Sequence, residues 1–211
     1  MNIVVLGATG GVGRCVVEQA LEQGHVVTAA SRNPDALRGP NGRLKILPCD
    51  VQDLNSVDRA VAGQDAVLCT VGTDSKWGAT TLYSAAARNI GQAMRTHRVR
   101  RLVFLSNFGV LNERAHDLVG KALLFLVRRM IGPTLKDHRR ALEQIAKDNV
   151  PEWVAVRALP LTDAPRTGRY RVAVDGLPPR ARRIARADVA DFMLKQASGN
   201  DYLGKSPAIA Y

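Results

Sequence analysis

Hydrophobic and polar positions along this chain follow two alternating rhythms. Short runs rich in β-branched and aliphatic residues occur at 3–6, 25–30, 45–49, 65–71, 101–106 and 153–157, the signature of strands. Between them lie longer stretches with apolar residues three and four apart, at 11–23, 56–61, 80–97 and 135–148, which predict amphipathic helices. The strands are nearly continuous in apolar character, as a parallel sheet covered on both faces requires, and right-handed crossovers then lead to an open, doubly wound α/β sheet. Past residue 106 the rhythm loosens. An apolar segment at 118–131 is expected to be stopped by Gly132-Pro133, and the Pro- and Arg-rich remainder is expected to hold a hairpin at 170–175 and a helix at 187–197.

The first strand runs into VVLGATGGVGR, where Gly7, Gly10 and Gly13 stand three apart at the opening of a helix. Glycines there permit a tight turn, close approach of backbone N–H groups to a pyrophosphate, and close helix–strand packing, while the helix N-terminus favours an anion. Gly7, Thr9, Gly10, Gly11, Val12 and Gly13 are therefore candidate dinucleotide contacts in a Rossmann-type fold. The second strand ends in Ser31-Arg32, without the carboxylate that would hold a ribose 2′-hydroxyl. An Arg fork with a Ser hydroxyl suits a 2′-phosphate, so NADP(H) is the expected cofactor, with a solvated loop charge as the other reading of Arg32. Asp50 and Val51 follow the third strand where an adenine rests, although a helix N-cap explains Asp50 as well. Val71 and Gly72 end the fourth strand at the crevice, where an ordinary turn is the alternative.

A chain of 211 residues with 46% hydrophobic content suffices for one domain with a sizeable core. One domain over 1–211 is expected, with 1–157 as nucleotide-binding core and 158–211 as a C-terminal cap shaping the substrate pocket. Three dispersed cysteines, Cys15, Cys49 and Cys69, argue against a disulfide framework and for a reducing, cytoplasmic setting. No leader pattern opens the sequence, and the longest apolar stretch, 122–127, is bounded by Lys121, Arg128 and Arg129, so no membrane span and no membrane partner are expected. The net charge of +11 attracts anions of many kinds. The Arg-rich runs at 98–101, 136–140 and 180–186 lack interleaved aromatics, so nucleic acid is not the expected partner. His25, His97, His116 and His138 show no metal-ligand spacing, and no metal is expected.

Ser106-Asn107 closes the fifth strand, facing the reacting end of a bound nicotinamide in this architecture. Ser106 is the first candidate for the reaction centre, weighed against an ordinary turn residue. His138, in LKDHRRALEQI, is a candidate general acid needing only a modest pKa adjustment, or else a solvated histidine among Lys136, Arg139 and Arg140.

The chain resembles the atypical short-chain dehydrogenase/reductase family, in its group of biliverdin IX-beta reductase-like flavin reductases. The resemblance is carried by LGATGGVG, Ser31-Arg32, CDVQD, AGQDAVLCTVGT, ARNIGQAM, LSNFG, KDHRRALE and WVAVRALPLTD. Two departures stand out: Leu135 and Arg139 occupy the places of the Tyr-x-x-x-Lys pair of short-chain dehydrogenases, and Ala158-Leu159-Pro160 stands where the biliverdin reductases carry a histidine. The resemblance implies an NADPH-dependent reductase, monomer or dimer, that passes hydride to a small planar conjugated acceptor such as a flavin or quinone. The alternative is a non-catalytic NADP(H)-binding redox sensor of NmrA type.

Overall fold

The alternation read from the sequence folds as successive βαβ units. In a computed structural model, which describes residues 1–37, 42–73, 79–111, 118–148 and 150–211, β1 (Asn2–Leu6), α1 (Gly11–Glu22) and β2 (Val26–Ser31) make the first unit. It continues through β3 (Leu44–Pro48), α2 (Leu54–Val61), β4 (Ala66–Cys69), α3 (Leu82–His97) and β5 (Arg101–Asn107). The remainder holds α4 (Leu118–Lys147), β6 (Glu152–Ala158), β7 (Leu161–Thr162), β8 (Arg171–Ala173), β9 (Ile184–Ala185), α5 (Arg186–Ser198) and β10 (Ala208–Ala210).

The main sheet runs β3-β2-β1-β4-β5-β6-β10-β8, and a small second sheet pairs β7 with β9. The main pairings are parallel except β10 with β8. This is the doubly wound Rossmann-type sheet expected. Its strand order reverses between β1 and β4, which opens a crevice at the strands' carboxyl ends.

Burial on both faces explains the continuous apolar strands. Ile3 and Val5 of β1 join Val16, Val189 and Met193 in the layer under α1 and α5, whereas Val4 and Leu6 join Val57, Ile90 and Met94 under α2 and α3. Successive side chains of a strand point to opposite faces, so both alternating sets must be apolar. Each large side chain removed from water in this way contributes roughly 1.5–3 kcal/mol.

One of two expectations holds. The apolar segment does end before Gly132-Pro133: the chain leaves helical geometry at Ile131 (φ −116°, ψ 24°), and α4 is two helices joined across this kink, the second reaching Lys147. Pro133 falls within the first turn after the kink, where a missing N–H breaks no ladder. The other fails, since there is no hairpin at 170–175. β8 pairs with the distant β10, Ala173 opposite Ala208 and Arg171 opposite Ala210, because the sheet edge beyond β6 offers a better partner than a local turn. Part of the expected cap thus extends the sheet. No helix among the described residues is long and apolar enough to cross a membrane.

Candidate functional site

An open cleft of about 780 Å³ lies at the carboxyl ends of β1, β2, β4 and β5. At one end the chain leaves β1 through Gly7 (φ +83°). The N–H groups of Gly7 and Ala8 donate to Ala30 O at 2.9 and 3.2 Å, and Gly10 N donates to Gly7 O at 3.0 Å. Thr70 Oγ1 donates toward Leu6 O and Gly7 O at 3.0 and 3.2 Å, clamping the turn. The packing leaves no room for side chains. A Cβ on Gly7 would sit 2.8 Å from Val71 N, and one on Gly13 only 2.2 Å from Gly7 O. No side chain caps α1, and its first turn carries no acid, so its positive end faces the cleft uncompensated. Arg186 covers this end: its side chain lies over Gly11, its charge answered by Asp163 Oδ1 at 2.5 Å. The helix end itself fits an anion.

Beside this turn, Ser31 and Arg32 line the cleft with Cys49 and Val51. Ser31 is buried, and its Oγ has no hydrogen-bond partner, an omission that costs about 1–3 kcal/mol unless a ligand supplies the partner. Asn89 Nδ2 donates to Val51 O at 2.9 Å and fixes that wall. Asp50 is not the N-cap of α2; Asp53 is, its side chain accepting from Asn55 N at 3.1 Å. Asp50 Oδ1 instead accepts from Gln52 N at 3.0 Å. Asp50 and Gly13 alone of the candidates do not line the cleft.

At the other end, Ser106, Asn107 and His138 meet beside Tyr83. Their assembly depends on Asp137. Fully buried on α4, it accepts from Tyr83 N at 2.9 Å and Ser84 Oγ at 2.5 Å, capping α3, whose own N-cap Thr81 makes no side-chain bond. This joins the two helices and seats the next residue, His138, against Tyr83, with ring centroids 3.6 Å apart at 27°. Asn107 Nδ2 lies 3.1 Å from His138 Nε2, and Ser106 Oγ lies 3.3 Å from His138 Nδ1. An amide donor at Nε2 makes that nitrogen the acceptor of a neutral ring, so Nδ1–H donates to Ser106 and leaves the Ser106 hydroxyl proton for another acceptor. Burial lowers the His138 pKa to about 3. The expectation of a modest adjustment is thereby corrected, as is the alternative of a surface histidine, since His138 is 2% exposed.

Among the cleft residues that the sequence reading did not place there are Tyr83, Thr70 and Arg186. Tyr83 reads as a core position of α3, Thr70 as strand interior, and Arg186 as one of a run of surface arginines. Only tertiary packing separates them from their neighbours. In Tyr83, burial raises the phenol pKa, and the oxygen accepts from Thr73 N at 3.2 Å. Leu135 is buried, and Arg139 donates to Val110 O through Nε and Nη2 at 3.1 and 2.8 Å, so neither substitutes for a Tyr/Lys pair. Among the described residues no cluster of three or more His, Cys, Asp or Glu could hold a metal; His116 lies outside them.

The uncapped α1 N-terminus, the glycine cradle and the orphaned Ser31 Oγ fit a dinucleotide at the switch point. Comparison with known proteins identifies the family. The 2-alkyl-3-oxoalkanoate reductase of Stenotrophomonas maltophilia (strain K279a) is 31% identical over 126 residues, 57% of this chain but 37% of that protein, so the chain spans little more than a third of its relative. Among solved structures, a short-chain dehydrogenase/reductase from Veillonella parvula in complex with NADP superposes at TM-score 0.80 with 15% identity, covering 100% of this chain and 94% of that one. ChuY, an anaerobillin reductase from Escherichia coli O157:H7, gives TM-score 0.79 with 18% identity, covering 100% and 97%. At such identities the likeness is one of fold. A family model described as NAD(P)H-binding matches residues 7–199, and the chain belongs to that NAD(P)H-binding family.

Proposed function

We propose that the protein is an NADPH-dependent oxidoreductase that reduces a small, planar, conjugated acceptor such as a flavin or quinone. The observation that carries this reading is the neutral, buried His138 bridging Asn107 and Ser106 at one end of the cleft. Such a ring is a fixed hydrogen-bond relay and not a store of protons. Ser106 is left to orient a carbonyl, of the nicotinamide carboxamide or of the acceptor, and turnover depends on positioning. Conjugated acceptors suit this site, because the added electron pair is delocalised and solvent delivers the proton.

Gly7, Thr9, Gly10, Gly11 and Val12 would hold the diphosphate, and Arg32 with Ser31 the 2′-phosphate, which favours NADPH over NADH. Val51, Val71 and Gly72 would line the adenosine side. When bound, the cofactor supplies the hydride. The lack of a Tyr/Lys pair favours a second reading, a redox sensor that binds NADP(H) without turnover. Loss of the nicotinamide absorbance in the presence of FMN, riboflavin or a quinone separates the two. Acceptor-dependent loss, faster with NADPH than NADH, is expected; tight NADPH binding with no loss for any acceptor sinks the reductase and leaves the sensor.

A further inference from the structure

The first half of α4 is apolar on two opposite sides. Leu124 and Val127 pack inward on Phe108 and Leu159, and Val127 and Ile131 on Val110 and Leu135. Outward, Leu118, Val119, Phe125, Leu126 and Met130 are exposed, Leu118 at 81% and Phe125 at 73%. At helical spacing these five fall in one stripe opposite the packed side. Together with Leu111 they make six of the nine large hydrophobic side chains that the described residues expose, a concentration and not the scatter of an ordinary surface.

Charge selects the occupant. Lys121 and Arg128 flank the stripe and Arg129 lies within it, while no acid occurs from 118 to 130. A second copy packed stripe to stripe would set three cations against three with no carboxylate in the stripe to answer them. An anionic lipid surface answers both features: apolar side chains sink into the acyl boundary, and the basic groups meet lipid phosphates. We propose that residues 118–130 dock the protein, lying in the plane, on an anionic membrane surface. The segment is far shorter than the roughly 20 residues a span needs, so the protein rests on the bilayer and does not cross it. The opposite, packed side of the same segment anchors it to the protein body: Val127, with Leu135, lies against Gly109, and Arg128 Nη2 donates to Leu111 O at 3.1 Å.

Sedimentation of the full chain with vesicles of equimolar phosphatidylglycerol and phosphatidylcholine tests this without any assay of turnover. Binding is expected, and the double variant Leu118→Ser/Phe125→Ser, which keeps the charge of +11, should bind at least about tenfold more weakly while still binding NADPH. A Phe125→Trp variant gives a second readout: its added tryptophan emission should shift to the blue on mixing with the same vesicles. Failure to sediment, binding unchanged in the double variant, or absence of the blue shift would each overturn the proposal, the second leaving only attraction to the whole basic surface. Reversible dimerisation abolished by the double variant would overturn it in favour of a second copy.

Discussion

The two ends of the cleft are built by different means. At the glycine-turn end the wall is mostly backbone: Gly7 and Gly13 press strand, turn and helix together at distances no Cβ tolerates. At the reacting end the contacts come from side chains of three elements, Tyr83 on α3, Ser106 and Asn107 on β5, and His138 on α4, held by the buried Asp137 cap. The first end is specified by what is missing from the chain and is intolerant of addition. The second is specified by who meets whom, and single atoms can be removed from it.

Gly13→Ala should therefore have the largest effect. The new methyl would meet backbone at Gly7 O and Ala8 Cα and also Thr70 Oγ1, so α1 must move off β1. Overpacking of this kind costs about 1–3 kcal/mol or more, visible as a lowered urea midpoint together with loss of NADPH binding. Unchanged stability would mean that the close approach is not needed.

His138 sets the pH dependence of the other end. Its pKa is lowered by burial to about 3, so between that value and the ordinary 6.5 the unfolded chain binds a proton that the folded chain refuses. Its stabilising share is full above about pH 6.5 and is lost as pH falls toward 3, amounting to roughly 3 kcal/mol at pH 4. In His138→Gln the fall in unfolding free energy between pH 6.5 and 4 should be shallower by about that amount. Equal slopes in the two proteins would place the titration elsewhere.

The same contrast explains what could be read from the chain. Gly7, Gly10 and Gly13 are local in sequence, and their spacing after an apolar run carries the tight strand-to-helix turn unaided. Strands buried on both faces announce themselves by composition, as β1 and β5 do. The pairing of β8 with β10 depends on residues some 35 apart in the chain, and nothing in 170–175 distinguishes that from a hairpin. Tyr83 has the spacing of a core residue because it is one; that one edge of it also walls the cleft follows only from where Asp137 brings α4. Likewise Gly132-Pro133 marks the break at Ile131, but nothing in the run of charged residues around His138 shows that this side chain is the one turned inside.

Arg32→Ala should weaken NADPH by about 1.5–3 kcal/mol, roughly ten- to a hundredfold in Kd, and leave NADH nearly unchanged. Fluorescence titration with both cofactors measures this; equal weakening would remove Arg32 from the 2′-phosphate. At the reacting end, Ser106→Ala should lower turnover about tenfold with little change in the Kd for NADPH, as loss of one orienting hydroxyl does. An unchanged kcat would take Ser106 out of the reaction.

The smallest effect is expected at Tyr83, and it is the most discriminating between the two ends. The Tyr83→Phe variant keeps the ring stacked on His138 and removes only the oxygen that accepts from Thr73 N. If the phenol is a wall that ties the Thr73 loop to α3, the loss is that of one neutral hydrogen bond, about 1 kcal/mol in stability, and turnover stays within about twofold at saturating cofactor. Should kcat instead fall by about tenfold or more with folding intact, the phenol, kept protonated by its burial, serves as a proton donor. The reacting end would then do acid chemistry from α3 that the neutral His138 cannot.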